Sequence, residues 1–130
     1  MILIIGGSFQ GKREYARHLS GVDEKKFLEN SADGWKDHPQ EAMRKPYLLS
    51  FHGWVRRLTE EGLDPEMFVR QILENAPEII TMDEIGCGVV PVERAERDYR
   101  EAAGHAGQML AGCADQVYRV MCGIPTKIKG

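Results

Sequence analysis

The chain has 130 residues, of which 42% are hydrophobic and 28% charged, with a formal net charge of -3. That length closes one hydrophobic core and is short for two, so a single domain over residues 1–130 is expected, and the composition excludes a disordered or fibrous chain. The slightly negative charge gives no broad electrostatic reason to approach nucleic acid or an anionic membrane.

The opening run Ile2-Leu3-Ile4-Ile5 is continuously apolar, which predicts a central parallel strand covered on both faces. It has no basic flank and runs straight into Gly6-Gly7, too short for a signal peptide or a membrane helix, so a cytoplasmic protein is expected. After a glycine turn, Tyr15, Ala16 and Leu19 recur at helical spacing until Gly21 stops them. Residues 22–45 carry a weak pattern: Asn30-Ser31-Ala32-Asp33-Gly34 reads as a turn, and the whole stretch as the mobile or variable part of the chain. Tyr47-Leu48-Leu49-Ser50-Phe51 predicts a second buried strand, followed by a helix carrying Trp54, Val55 and Leu58.

A helix from Pro65 places Phe68, Val69, Ile72 and Leu73 on one face and ends before Pro77. Glu78-Ile79-Ile80-Thr81-Met82 predicts a third strand, with Asp83 and Glu84 at its carboxyl end, where ligand-facing acids are expected in such sheets. Pro91 is expected to open the longest helix, with Ala95, Tyr99, Ala102, Ala106 and Leu110 as its buried stripe and its end near Gly112. Residues 116–121 predict the last strand, and Gly123-Ile124-Pro125 a turn into a short tail.

Gly6-Gly7-Ser8-Phe9-Gln10-Gly11-Lys12 fits G-x-x-x-x-G-K between a predicted strand and a predicted helix, the context in which that motif cradles phosphates. Glycines let the loop close around an anion, inward N–H groups and the helix N-terminus attract it, and Lys12 adds a full charge beside the β- and γ-phosphates. Residues 6–13 are therefore the candidate nucleotide-binding segment. The class that follows is α/β: a P-loop NTPase-like three-layer fold with a mainly parallel sheet. Arg13 stands where the motif has Ser or Thr, whose hydroxyl holds magnesium, so the chain departs from the catalytic form at that position. Its guanidinium could donate to a phosphate in the metal's stead or point outward.

The stretch Thr81-Met82-Asp83-Glu84-Ile85-Gly86-Cys87-Gly88-Val89-Val90-Pro91, followed by Arg97, Tyr99-Arg100, Gly104 and Gln108, resembles the bifunctional adenosylcobinamide kinase/adenosylcobinamide-phosphate guanylyltransferase family of cobalamin biosynthesis. The ending Ala114-Asp115-Gln116-Val117 and Gly123-Ile124-Pro125-Thr126-Lys127-Ile128-Lys129 is similar to the same family. The resemblance implies GTP or ATP as donor, a cobinamide-type alcohol as acceptor, self-association into a homo-oligomer, and guanylylation through a covalent histidine. It also matches Asp83-Glu84 to a position where Asn-Glu is usual, and makes Glu84, with Lys12, the expected catalytic pair facing the phosphates. A carboxylate at such a strand end can hold magnesium through water or orient a hydroxyl.

Two departures weaken the expected magnesium site: Arg13, and Ser50 where the family has an acidic residue after its second strand. The segment that carries the family's guanylylated histidine is shortened here, and none of His38, His52 or His105 lies in a matching motif. Two functions follow: a nucleotide-dependent kinase without the guanylyltransferase half, or a purine-nucleotide-binding regulatory protein without catalysis. Of the remaining residues, His52 could act near bound phosphates as an acid or donor but reads first as a packed or capping histidine. Arg56-Arg57 could grip a phosphate and Arg94, Arg97 and Arg100 could line one helix face, but such charges are mostly solvated; Trp35 and Trp54 could stack on a base or corrin ring, though packing is the commoner use of a tryptophan. Cys87, Cys113 and Cys122 are odd in number and widely spaced, which predicts reduced, mostly buried thiols.

Overall fold

The computed structural model describes residues 1–85 and 92–130. In chain order the elements are β1 (Ile2–Gly6), α1 (Lys12–Ser20), α2 (Glu24–Glu29), β2 (Ser31–Asp33), α3 (Pro39–Ala42), β3 (Tyr47–Leu49), α4 (Phe51–Glu60), α5 (Pro65–Asn75), β4 (Ile79–Asp83), α6 (Arg94–Cys113), β5 (Gln116–Met121) and β6 (Ile124–Lys129). They form a six-stranded sheet in the order β2-β3-β4-β1-β5-β6. Neighbours are parallel throughout except the final pair, β5 with β6, which is antiparallel.

Alternation along the strands explains the layers. Leu3, Leu48, Ile80 and Val117 point to one face, where Phe51, Trp54 and Val55 of α4, Phe68 and Ile72 of α5, and Tyr99, Ala106 and Leu110 of α6 cover them. Ile4, Tyr47, Ile79 and Val120 point to the other, against Ala16 of α1 and Phe27 of α2. With both faces covered, strands of continuous apolar residues are the stable solution, and each fully buried Leu or Ile contributes roughly 2 kcal/mol. The three-layer α/β fold with a mainly parallel sheet is the one the sequence predicts. The longest helix begins at Arg94, with Glu93 as its N-cap, later than the start expected at Pro91, which itself lies outside the described residues.

Four local expectations are corrected. Ser31-Ala32-Asp33 is an edge strand paired in register with Tyr47, Leu48 and Leu49, where a turn was expected. Its polar residues carry no strand signal, and β3's free edge supplies the pairing. The predicted second strand stops at Leu49, because Ser50 is left-handed (φ 52°) and Phe51 already begins α4. At the C-terminus the turn is Cys122-Gly123, both with positive φ (50° and 75°), the geometry of a tight two-residue hairpin. The expected tail is strand β6, where Pro125 pairs with Val120 on an edge that tolerates the missing donor. Cys113 and Cys122 are exposed free thiols, one at the end of α6 and the other in the hairpin turn, so the expected burial fails for both; Cys87 lies outside the described residues.

Candidate functional site

The strand β1 delivers the glycine loop to the carboxyl edge of the sheet, between the ends of its neighbours β4 and β5. Both neighbours hold it: Glu84 N–H donates to Gly6 O (2.9 Å), and Gly123 N–H to Gln10 O (2.8 Å). The Gln10 side chain also accepts from Cys122 N–H at 2.6 Å. Two glycines are required by this packing. A Cβ at Gly6 would lie 2.5 Å from Val120 O, and one at Gly11, whose φ is 96°, would lie 3.2 Å from Gly123 Cα. The β5–β6 hairpin therefore forms a bed for the loop, and Phe9, also left-handed, projects its ring into solvent.

Lys12 begins α1 and folds back under the loop. Its Nζ donates to Gly7 O at 2.6 Å and lies 2.7 Å from Asp83 Oδ1, in a site where the lysine is 8% exposed. The other Asp83 oxygen, Oδ2, accepts from Ser8 Oγ (2.7 Å) and lies 3.4 Å from His52 Nε2. His52 Nδ1 accepts from Asp83 N–H at 3.0 Å, which leaves the ring proton on Nε2, toward the carboxylate. Burial alone would raise the Asp83 carboxyl; hydrogen bonds from Lys12 and Ser8, with the charges of His52 and Lys12, outweigh it and hold the group below the ordinary carboxylate value. Burial pushes His52 down, Asp83 pulls it back, and Lys12 lowers it further. The result is a glycine loop whose buried lysine is paired with the Asp83 carboxylate.

Asp83, at the end of β4, thus reaches the loop. Glu84, expected to face the phosphates, turns the other way and grips Arg119 of β5 with two hydrogen bonds (2.7 and 3.1 Å) beside Gly7 and Gln10. Successive residues at a strand end point to opposite faces, which is why two adjacent acids have separate partners.

A cavity of 460 Å³ opens from the loop across the ends of β4, β3 and β2. Ser8, Phe9, Gln10, Gly11, Lys12 and Arg13 line its loop side, and Thr81, Asp83, Ser50, His52, Asp33 and Trp35 are among the residues on the rest. Thr81 Oγ1 accepts from Ser50 N–H at 2.9 Å, fixing the left-handed corner between β3 and α4. His52 meets Trp35 edge to face, with ring centroids 5.4 Å apart. The cavity therefore gathers Asp33, which read as part of a turn, and Trp35 and His52, which read as packing. Arg57 holds backbone carbonyls and Arg56 pairs with Glu60 and Glu96.

Arg13 lies at the rim, but its guanidinium is held at 2.5 Å by Glu24 and at 3.2 Å by Glu14, and stands over the Phe27 ring. Among the described residues no group of three or more His, Cys, Asp or Glu side chains is placed to hold a metal. Both Asp83 oxygens are engaged, and neither Arg13 nor Ser50 carries a carboxylate. The residues present, as they are arranged, do not fit a protein-held magnesium ion. Among the described residues no helix is long and apolar enough to cross a membrane.

Known proteins match part of this chain in sequence. Over 82 residues the chain is 37% identical to the bifunctional adenosylcobalamin biosynthesis protein CobU of Salmonella typhimurium, covering 58% of this chain and 44% of that protein. Over 51 residues it is 41% identical to the protein of the same name in Escherichia coli K12, covering 39% of this chain and 28% of the relative. The matched span is thus less than half the length of either relative. The pattern of the family described as cobinamide kinase / cobinamide phosphate guanyltransferase matches residues 53–128, which carry α4 from its third residue, Asp83, α6 and the β5–β6 hairpin. With more than half of its residues inside that pattern, the chain belongs to the cobinamide kinase / cobinamide phosphate guanyltransferase family.

Proposed function

We propose that this chain binds a purine nucleoside triphosphate, GTP or ATP, through residues 6–13 and transfers its terminal phosphoryl group to the hydroxyl of a cobinamide-type acceptor. The observation that carries the reading is Lys12, buried under a glycine loop between β1 and α1 and held, among the described residues, by Gly7 O and Asp83, groups that an incoming phosphate can replace. Family membership supplies the reaction class and the acceptor. Binding exchanges the Asp83 and Gly7 contacts of Lys12 for phosphate oxygens, while the loop N–H groups and the α1 N-terminus take up the remaining charge. In the transfer, the acceptor oxygen forms a bond to the γ-phosphorus and the bond from that phosphorus to the β,γ-bridging oxygen breaks. The nucleoside diphosphate leaves with the electron pair, and the hydroxyl proton passes to water or a nearby carboxylate. Such chemistry is mostly positioning and charge stabilisation, which is the part these residues supply.

A second reading, nucleotide binding without turnover, is favoured by one group of observations: Arg13 tied to Glu24, Ser50 without a carboxylate, and Asp83 committed to Lys12 and Ser8. Calorimetric titration of GTP and ATP, with magnesium and with EDTA, separates the two. Binding that is lost in Lys12→Ala, strengthens with magnesium and is accompanied by cobinamide phosphorylation supports the kinase. Lys12-dependent binding that is indifferent to magnesium and unproductive supports the second reading. No binding to the parent chain overturns both.

A further inference from the structure

The wall of the cavity opposite the phosphate loop is the 33–37 turn, and it is held as firmly as the loop itself. Gly34 lies so close to the β3–α4 corner that a Cβ there would come within 2.0 Å of Ser50 O, and a Cβ on Gly53 would lie 2.6 Å from Gly34 C. Gly34 N–H donates to Leu49 O (2.8 Å), Arg57 Nη1 donates to Gly34 O (2.9 Å) and Asp37 O (2.6 Å), and Trp54 Nε1 donates to Asp37 O (3.0 Å). Asp37 in turn accepts from Asp33 N–H at 2.7 Å. What these contacts position is Trp35. Its ring stands at the cavity mouth, edge to face with His52, and 51% of the residue is left exposed. An aromatic ring half open to solvent on a turn fixed by backbone contacts is preorganised surface, the kind that binds a flat partner with little ordering cost.

We propose that Trp35 and Asp33 form the acceptor half of the cavity: the Trp35 ring lies against the flat body of a corrinoid alcohol, and Asp33 accepts a hydrogen bond from one of its polar groups. Asp33 Oδ1 already accepts from Trp35 N–H (2.7 Å), and Oδ2 has no partner among the described residues. The strand order sets the polarity of the site. A loop lysine contacts the β- and γ-phosphates, and Lys12 Nζ leans toward Asp83, on the β4 side of β1. The terminal phosphate therefore lies toward β4 and the nucleoside end extends away from it. Asp33 ends β2 and Trp35 follows it, two strands past β4 in that same direction, beyond Asp83 and His52, where a molecule attacking the terminal phosphate has to approach. This assignment rests on the nucleotide reading above.

The test is calorimetry on the full chain with cobinamide as probe, in the presence of a GTP analogue whose β,γ-bridge is an imido group, and in parallel with the analogue alone. Trp35→Ala weakens cobinamide binding about tenfold and Trp35→Phe only about two- to threefold, with analogue affinity unchanged in both. Asp33→Asn, which keeps the acceptor for Trp35 N–H, weakens cobinamide by a few fold. The chain has two tryptophans and the other, Trp54, is fully buried, so an unchanged Trp54 emission in Trp35→Phe, with unchanged melting of both Trp35 variants, shows an intact core. Cobinamide affinity unaltered in Trp35→Ala, a loss of analogue affinity in its place, or failure of the nucleotide-loaded parent chain to bind cobinamide each overturns the assignment while leaving Lys12-dependent nucleotide binding standing. Failure of the parent chain to bind the analogue defeats this assignment together with the reading it rests on.

Discussion

The phosphate loop and the 33–37 turn face each other across one cavity, and both follow a strand, contain glycine and sit against backbone so closely that a Cβ would collide. They differ in what holds them. The loop is tied to β4 and to the β5–β6 hairpin by three hydrogen bonds at its ends, and its charged interior is a single lysine with its carboxylate. The turn is tied by four backbone carbonyl contacts from Gly34, Trp54 and Arg57, and among the described residues it holds no ion pair. A site that must accept a polyanion needs an interior that ligand can displace, and a wall that presents a ring needs fixed backbone. Disturbing the first should change binding, and disturbing the second should change stability.

The largest expected effect breaks the turn. In Gly34→Ala the new methyl group cannot avoid Ser50 O, and the cost is at least about 3 kcal/mol, read as a drop in the denaturation midpoint. A change below 1 kcal/mol would mean that the turn yields easily and is no fixed wall. Next, Lys12→Ala should weaken nucleotide binding by roughly a hundredfold, about 2.7 kcal/mol, measured by titration. If the variant binds as well as the parent chain, the loop does not hold the phosphates through its lysine.

Arg57→Ala should cost about 2 kcal/mol in chemical denaturation, because two carbonyls lose one charged donor. Its nucleotide affinity should stay within about twofold, and a larger loss would couple turn and loop more tightly than the contrast allows. The smallest effect concerns pH. The Asp83 carboxyl is held below its ordinary 3.8 in the folded chain. Its contribution to stability is therefore present above that value and lost as pH falls through the folded one. Thermal melts of Asp83→Asn between pH 7 and pH 3 should show a flatter acid limb than the parent chain. An unchanged limb would show that Lys12 and Ser8 do not stabilise the ionised form.

Glu84 and Asp83 show how far motif reasoning reaches. The strand end with two acids was readable from Ile79-Ile80-Thr81-Met82, but which acid meets Lys12 depends on the face each side chain takes and on Arg119, which is 35 residues from Glu84 in the chain and draws it away. His52 illustrates the same limit. Beside Gly53 and Trp54 it reads as packing, and only the parallel neighbourhood of β3 and β4 brings its Nδ1 to the backbone of Asp83. At the C-terminus, Gly123 signalled a turn, but nothing local announced that Cys122 would share its left-handed geometry, or that Ile124 would begin a strand.

By itself the sequence determined the parts whose physics is local: apolar runs that must be buried on both faces, the longer helices α1, α4, α5 and α6 written in their periodicity, and a glycine-lysine loop between strand and helix; the short α2 and α3 of the weakly patterned 22–45 stretch were not among them. The six-stranded sheet order, the edge strands β2 and β6, and the separate destinations of Asp83 and Glu84 were decided only in the tertiary structure. The physical reason is that an edge strand is stabilised by the free edge it pairs with, and a site side chain by a partner from another element. Neither partner lies within reach along the chain, so residues 31–35 carry no signal of their own for the wall they build across from Lys12.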